Sequence, residues 1–332
     1  MKTLLLAVLA VSARAGEPVF DPRALLKSAR DAAFSVEAPS AAERPAPRLS
    51  VGRDADGNLA LTGADCAALE KQGAALAEWK ARLREAPAAR EACRCGPQGC
   101  TLRVDAPSFV RRVHDTRARR WGPNCWNTAL VSAGILSAPG FASPEEMSFW
   151  MASPLCRPLH AAEAPRPGDI AAIRDEKGAE VHGFVYVSDE LAFSKNYLTA
   201  ASPYALQSPA DVFGEYPVPA LCRTSGGSAG CPAYIDLFRC STREEYVRGS
   251  GLALEEDYLR AEKTVAEQEK AVAELVFGWQ SGPEFRGRAD GLLRSSAQTL
   301  TSLRERTRGR SGLLWNALGL RIDSLLHQLT LI

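Results

Sequence analysis

The chain is poor in histidine. Four occur in 332 residues, His114, His160, His182 and His327, so any chemistry that needs an imidazole must choose among them. A net charge is nearly absent: Lys and Arg number 40 and Asp and Glu 39, which leaves +1. Without a field of one sign, nothing attracts the chain as a whole to nucleic acid or to an anionic membrane surface. Long apolar runs are missing too. The run at residues 4–11, LLLAVLAV, is too short to cross a bilayer, and no later segment approaches a spanning length. No integral membrane segment is therefore expected.

The short run has another reading. Lys2 precedes it, and Ala13-Arg14-Ala15 follows as a small-residue cleavage site. Residues 1–15 read as a signal peptide, and the mature chain is expected to be secreted or periplasmic. No cysteine follows the cleavage site, so no lipid anchor is expected.

Cysteine, in contrast, is plentiful. The nine are Cys66, Cys93, Cys95, Cys100, Cys125, Cys156, Cys222, Cys231 and Cys240. In an oxidising compartment cysteines pair, and an odd number leaves at least one thiol over. The spacing C-x-C-x4-C over residues 93–100 is not a standard zinc pattern and has no histidine near enough to complete one, so a cystine-linked hairpin is expected and no metal.

Along the chain, residues 23–34 suit a short helix and 37–48 a Pro/Ala-rich linker. Residues 48–63, RLSVGRDADGNLALTG, alternate as a hairpin turning at Asp56-Gly57-Asn58. Asp54, Asp56 and Asn58 also suggest a calcium loop, but Leu59 stands where that loop needs glycine. Residues 63–86 place Leu69, Leu76, Trp79 and Leu83 on one helical stripe, and 108–121 read as a basic helix with a solvated face. Three short strands follow at 170–174, 181–187 and 191–196, and another at 233–239. The remainder is helical, with one stripe through Leu259, Ala266, Val272, Leu275 and Val276, and another through Leu314, Leu318, Ile322, Leu325 and Leu329. Helices before and after an antiparallel meander make an α+β class.

The segment WGPNCWNTALVSAGIL, residues 121–136, combines a turn, a good N-cap in Asn124 and a helical stripe through Trp126, Leu130, Ala133 and Leu136. Cys125 then occupies the first turn, where unpaired N–H groups and the helix dipole favour a thiolate, and its own N–H can serve an oxyanion. His182 opens the strand HGFVYV, a rigid place from which to offer an imidazole. On the next strand Ser194 and Asn196 share a face; Asn196 is the proposed group that orients the ring, and Ser194 the alternative.

NCWNTAL around Cys125, RPGDIAAI around Gly168 and Asp169, and VHGFVYVSD around His182 together resemble the NlpC-type branch of the papain-like cysteine peptidases over residues 121–196. The resemblance implies a helix bearing the cysteine packed on a small antiparallel sheet, a cysteine–histidine–polar triad, no cofactor or metal, and cleavage of peptide bridges in bacterial peptidoglycan. It carries Cys125 and His182 over directly. At the third position of the triad the family commonly has a histidine, near Ser194, which this chain lacks. The corresponding division is a signal peptide (1–15), an N-terminal cysteine-containing pro- or accessory region (16–106), an NlpC-type core (107–245) and a C-terminal helical region (246–332). The expected function is an exported hydrolase of amide bonds in peptidoglycan stem peptides or cross-bridges. The alternative is a catalytically inactive NlpC-like protein that binds through its groove and helical tail. A zymogen whose N-terminal region covers the cleft is a third reading.

Overall fold

The computed structural model describes residues 49–332 apart from 89–90, 98, 161, 224–229, 252–253 and 281. The signal peptide, the helix at 23–34 and the linker at 37–48 lie outside the described residues.

The first hairpin pairs β1 (Leu49–Arg53) with β2 (Leu59–Gly63), antiparallel. Its turn is closed by Asp54, whose carboxylate accepts from the backbone N–H groups of Asp56 and Asn58, each at 2.9 Å. The acidic residues of the calcium alternative are engaged elsewhere: Arg103 pairs with Asp54 at 2.6 Å and with Asp56 at 2.7 Å. Helix α1 (Cys66–Arg82) starts at Asp65, which accepts from Ala68 N–H, and it buries Leu69, Leu76 and Trp79. The cystine hairpin is β3 (Arg94–Gly96) and β4 (Gly99–Arg103), completing a four-stranded sheet in the order β1-β2-β4-β3.

Helix α2 (Ser108–Val113) is shorter than its basic sequence suggests. It stops at His114, which leaves helical geometry, and Asp115 takes a φ of +59°. The competing interaction is tertiary: buried His114 accepts the Leu206 N–H on Nδ1 at 3.1 Å, and Asp115 N–H bonds the Tyr204 carbonyl. The arginines beyond are not one solvated helix face. Arg119 donates to the Trp279 carbonyl at 3.1 Å, and the Arg120 guanidinium lies 4.0 Å from the Trp279 ring.

Two helices precede the main sheet, α3 (Cys125–Ser132) and α4 (Pro144–Ala152). The sheet has six antiparallel strands in the order β5-β10-β6-β7-β8-β9. They are β5 (Cys156–Pro158), β6 (Asp169–Asp175), β7 (Glu180–Ser188), β8 (Leu191–Lys195), β9 (Tyr204–Gln207) and β10 (Ala233–Cys240). The short helix α5 (Pro209–Glu215) follows β9. Both faces of this sheet are covered. On one, Val185, Val187 and Phe193 join Ala129 and Leu130 of α3, Trp79 of α1 and Leu61 of β2 in one apolar cluster. On the other, Ala171, Ile173, Phe184 and Ala192 pack with Val212 of α5 and Ile235.

The C-terminal residues form α6 (Arg243–Ser250), α7 (Glu256–Gly278), α8 (Pro283–Thr307) and α9 (Leu313–Leu331). Leu314, Leu318, Ile322 and Leu325 pack on Val265, Val272 and Val276 of α7 and on Leu300 and Leu303 of α8. Arg321, buried on α9, meets Glu262 at 2.7 Å and Glu269 at 2.9 Å. Among the described residues no helix is long and apolar enough to cross a membrane.

The PGD turn is a structural joint. Asp169 is fully buried and receives Arg82 at 3.0 Å and Arg239 at 2.8 Å, tying α1 and β10 to the start of β6. Gly168 has a φ of +90°, and a Cβ there would lie 2.5 Å from the Trp79 ring. Gly168→Ala should therefore lower stability by about 1–3 kcal/mol. Denaturant titration checks this; an unchanged midpoint would mean that Trp79 moves aside freely.

Candidate active site

The N-terminus of α3 is fixed by asparagine side chains. Asn124 is the N-cap: its Oδ1 accepts from Asn127 N–H at 3.0 Å and from Ala142 N–H at 3.3 Å, and its Nδ2 donates to the Ala142 carbonyl at 2.7 Å. Asn127 accepts from Gly140 N–H at 2.7 Å, and the Thr128 hydroxyl donates to the Asn124 carbonyl at 2.7 Å. The loop so gripped is braced from behind by α9. Phe141 N–H donates to Gln328 at 3.0 Å, and Ser143 N–H to the Ser324 hydroxyl at 3.1 Å. Ser324 in turn donates to Glu146 at 2.6 Å. Burial pushes that carboxyl up to about 7.

Cys125 is the first residue of this helix and the one cysteine without a bridge. The other eight pair as Cys66–Cys93, Cys95–Cys100, Cys156–Cys240 and Cys222–Cys231. Burial pushes its thiol up to about 11. Against that act hydrogen bonds from the backbone N–H groups of Gly183, Trp126 and Cys125 itself, and then the charge of Lys195. The N–H groups of Cys125 and Trp126 belong to the first turn, where no helical carbonyl claims them.

Gly183 belongs to β7, directly after His182. Successive strand residues point to opposite faces. A Cβ on Gly183 would meet Trp126 and Ala129 of α3 at 3.3 and 3.8 Å, so this glycine lets the helix lie close against the strand. His182 points to the other face, where its ring stacks on Tyr216 with centroids 3.9 Å apart and planes 8° apart. Ladder pairing of β7 with β8 reaches Val185↔Phe193, and beyond that point side chains bridge the two strands.

The bridge is a relay. His182 Nε2 lies 3.0 Å from the Ser194 hydroxyl, and that hydroxyl donates to Asn196 Oδ1 at 2.7 Å. Gln207 donates to the same oxygen at 3.1 Å. A serine has one proton, and here it goes to Asn196. Ser194 therefore accepts from the ring, which makes Nε2 the protonated nitrogen and leaves Nδ1 a lone pair. Ser194 touches the imidazole; Asn196 acts through Ser194 and does not reach the ring. Nδ1 is buried and has no hydrogen-bond partner, so the Cys125 sulfur and the imidazole are not bonded to each other in this arrangement. Burial alone drives the imidazole down to about 3. Thiol and ring are both neutral at neutral pH.

Two residues beyond the sequence reading complete the site. Tyr216, at the end of α5, covers the ring and donates its hydroxyl to the Asn196 carbonyl. Lys195 is buried on the α3 face of β8. Its ammonium donates to the carbonyls of Tyr197, Thr199 and Ser202 at 2.6, 3.0 and 3.1 Å. Burial lowers it to about 8, and the neighbouring Cys125 opposes that shift. The strand parity that puts Lys195 opposite Ser194 and Asn196 was a signal that it faces α3; nothing in the sequence marked Tyr216. The other histidines have different settings: His114 caps α2, His160 is exposed, and His327 lies 4.8 Å from the Phe141 ring.

No family model, curated protein or solved structure matches the chain.

The buried imidazole has a consequence for stability. An unfolded histidine titrates near its ordinary 6.5, whereas His182 in the fold resists protonation until about 3. Below pH 6.5 the unfolded chain binds a proton that the folded chain excludes, so stability is full above pH 6.5 and falls progressively towards pH 3. His182→Gln should flatten that acid limb. Denaturation midpoints from pH 7 to 3.5 test this; parallel curves for the two proteins would contradict the buried neutral ring.

Proposed function

We propose that the protein is an exported cysteine hydrolase of the NlpC-type papain-like class, cleaving amide bonds in peptidoglycan stem peptides or cross-bridges. The observation that carries this reading is the Ser194-bound imidazole, with a free Nδ1, on the residue next to the glycine that bonds the unbridged Cys125 sulfur. Four disulfides suit an oxidising compartment outside the cytoplasm.

In the reaction Cys125 Sγ attacks the substrate carbonyl and its proton passes to His182 Nδ1. The N–H groups at the start of α3 hold the oxyanion. As the intermediate collapses, the C–N bond breaks and the leaving amine takes the proton from His182. Water, deprotonated by the same nitrogen, then hydrolyses the thioester. Ser194 and Asn196 keep the ring in the required tautomer, and Lys195 supplies a fixed positive charge near the sulfur. The ring faces away from α3 in the structure, so meeting the sulfur requires the His182 side chain to swing past the edge of β7; displacement of Tyr216 clears that path and admits the water that raises the imidazole towards its ordinary range.

The closed, neutral pair also favours a second reading, a protein that binds cell-wall peptides without cutting them. Purified peptidoglycan separates the two. Hydrolysis by the wild type should fall at least about a thousandfold in Cys125→Ala, and Ser194→Ala should lower kcat more than Asn196→Ala does. Equal peptide release by wild type and Cys125→Ala would reject the hydrolase. Retained binding with no release by either would establish the binding protein.

A further inference from the structure

Four of the bridged cysteines gather at the start of α1, outside the groups of the candidate active site. Cys66 is the first residue of that 17-residue helix. Cys95 and Cys100 face each other across β3 and β4. The two disulfides, Cys66–Cys93 and Cys95–Cys100, touch: the sulfurs of Cys66 and Cys95 lie 3.3 Å apart, although they belong to different bridges. The sulfurs of Cys66, Cys95 and Cys100 are all within 4.8 Å of one another.

Exposure gives this cluster a direction. Cys95 is exposed, Cys66 and Cys93 are half-buried, and Cys100 is buried with its sulfur 3.7 Å from the Ala64 carbonyl. Thiol–disulfide exchange needs a thiolate able to reach a bridged sulfur and a stabilised leaving thiolate. The 3.3 Å between the Cys95 and Cys66 sulfurs supplies the reach for Cys95, and Cys93 is the sulfur that would leave. Two residues apart in extended chain, they project to the same side, so either can hold the β3 segment to the start of α1.

We propose that these four cysteines form one thiol–disulfide exchange site, entered by a dithiol reductant at Cys95, in which the Cys66–Cys93 bridge is traded for Cys66–Cys95. One thiolate of the dithiol attacks Cys95 and Cys100 leaves as a thiolate. The second thiolate of the reductant then closes the cyclic disulfide and releases Cys95 as a thiolate. Two electrons have passed from the dithiol to the protein. Next Cys95 attacks Cys66: the Cys66–Cys95 bond forms, Cys66–Cys93 breaks, and the electron pair leaves on Cys93, which takes up a proton. This second step involves no net oxidation or reduction.

The test uses the full-length protein and one molar equivalent of dithiothreitol, followed by acid quenching, alkylation of free thiols and mass-spectrometric mapping of the bridges. The expected result is a peptide pair joined through Cys66 and Cys95, with alkylated Cys93 comparable in amount to alkylated Cys95. A Cys100→Ser variant reaches the same chemistry without reductant, and its label should divide between Cys93 and Cys95. Should dithiothreitol open another bridge first, the variant decides. Label confined to Cys95 in Cys100→Ser, or to Cys95 and Cys100 in the wild type with Cys66–Cys93 intact, would overturn the proposal.

Discussion

The hydrogen bonds of one side chain, Asn124, set the position of everything else in the site. Its carboxamide closes the start of α3 and, with the same oxygen, holds the Ala142 N–H of the loop that returns beneath it. Capping satisfies N–H groups that a helix start otherwise leaves to water, and here it also locks the residue that follows. That residue is Cys125. Asn127 and Thr128 repeat the grip one turn on, and Gln328 and Ser324 extend it to the last helix of the chain. The C-terminal helices thus do more than cover a core: α9 is part of the support of the sulfur. Arg321, tied to Glu262 and Glu269, holds α9 against α7 at the same level of the structure.

Two opposed effects meet at that sulfur. Burial favours the neutral thiol and the neutral imidazole, and it dominates both groups. Helix N–H groups, the Gly183 N–H and the Lys195 charge favour the thiolate. In this arrangement the Tyr216 ring lies over His182 and the Tyr216 hydroxyl bonds the Asn196 carbonyl. A largely buried site of low dielectric strengthens the interactions of each charge within it. Lys195 is fixed by three backbone carbonyls, so its charge near the sulfur is held in place.

Much of this was legible in the sequence because it is local. The turn–cap order at residues 121–125 predicts the start of α3, although the helix ends at Ser132, short of Ala133 and Leu136 of the predicted stripe, and alternation predicts β6, β7 and β8 to within a residue or two. The order of the relay was not legible. Strand parity puts Ser194 and Asn196 on one face, but Asn196 falls just beyond the end of β8, so only Ser194 comes within reach of the ring. Tyr216 comes from a stretch of short elements, β9 and α5, that carry too few residues for a period to show. The basic residues 111–120 misled in the opposite way: their helical pattern is overridden after Val113 by pairing of the next residues with β9.

The central claim is that His182 makes Cys125 a nucleophile towards a bound peptide. Its most direct test is covalent labelling by a stem-peptide vinyl sulfone, read by intact mass and peptide mapping in the wild type and in His182→Gln. The account predicts a single adduct on Cys125 that forms in the wild type and is lost in the variant. Equal rates in the two proteins, or no adduct on Cys125 in either, would contradict it.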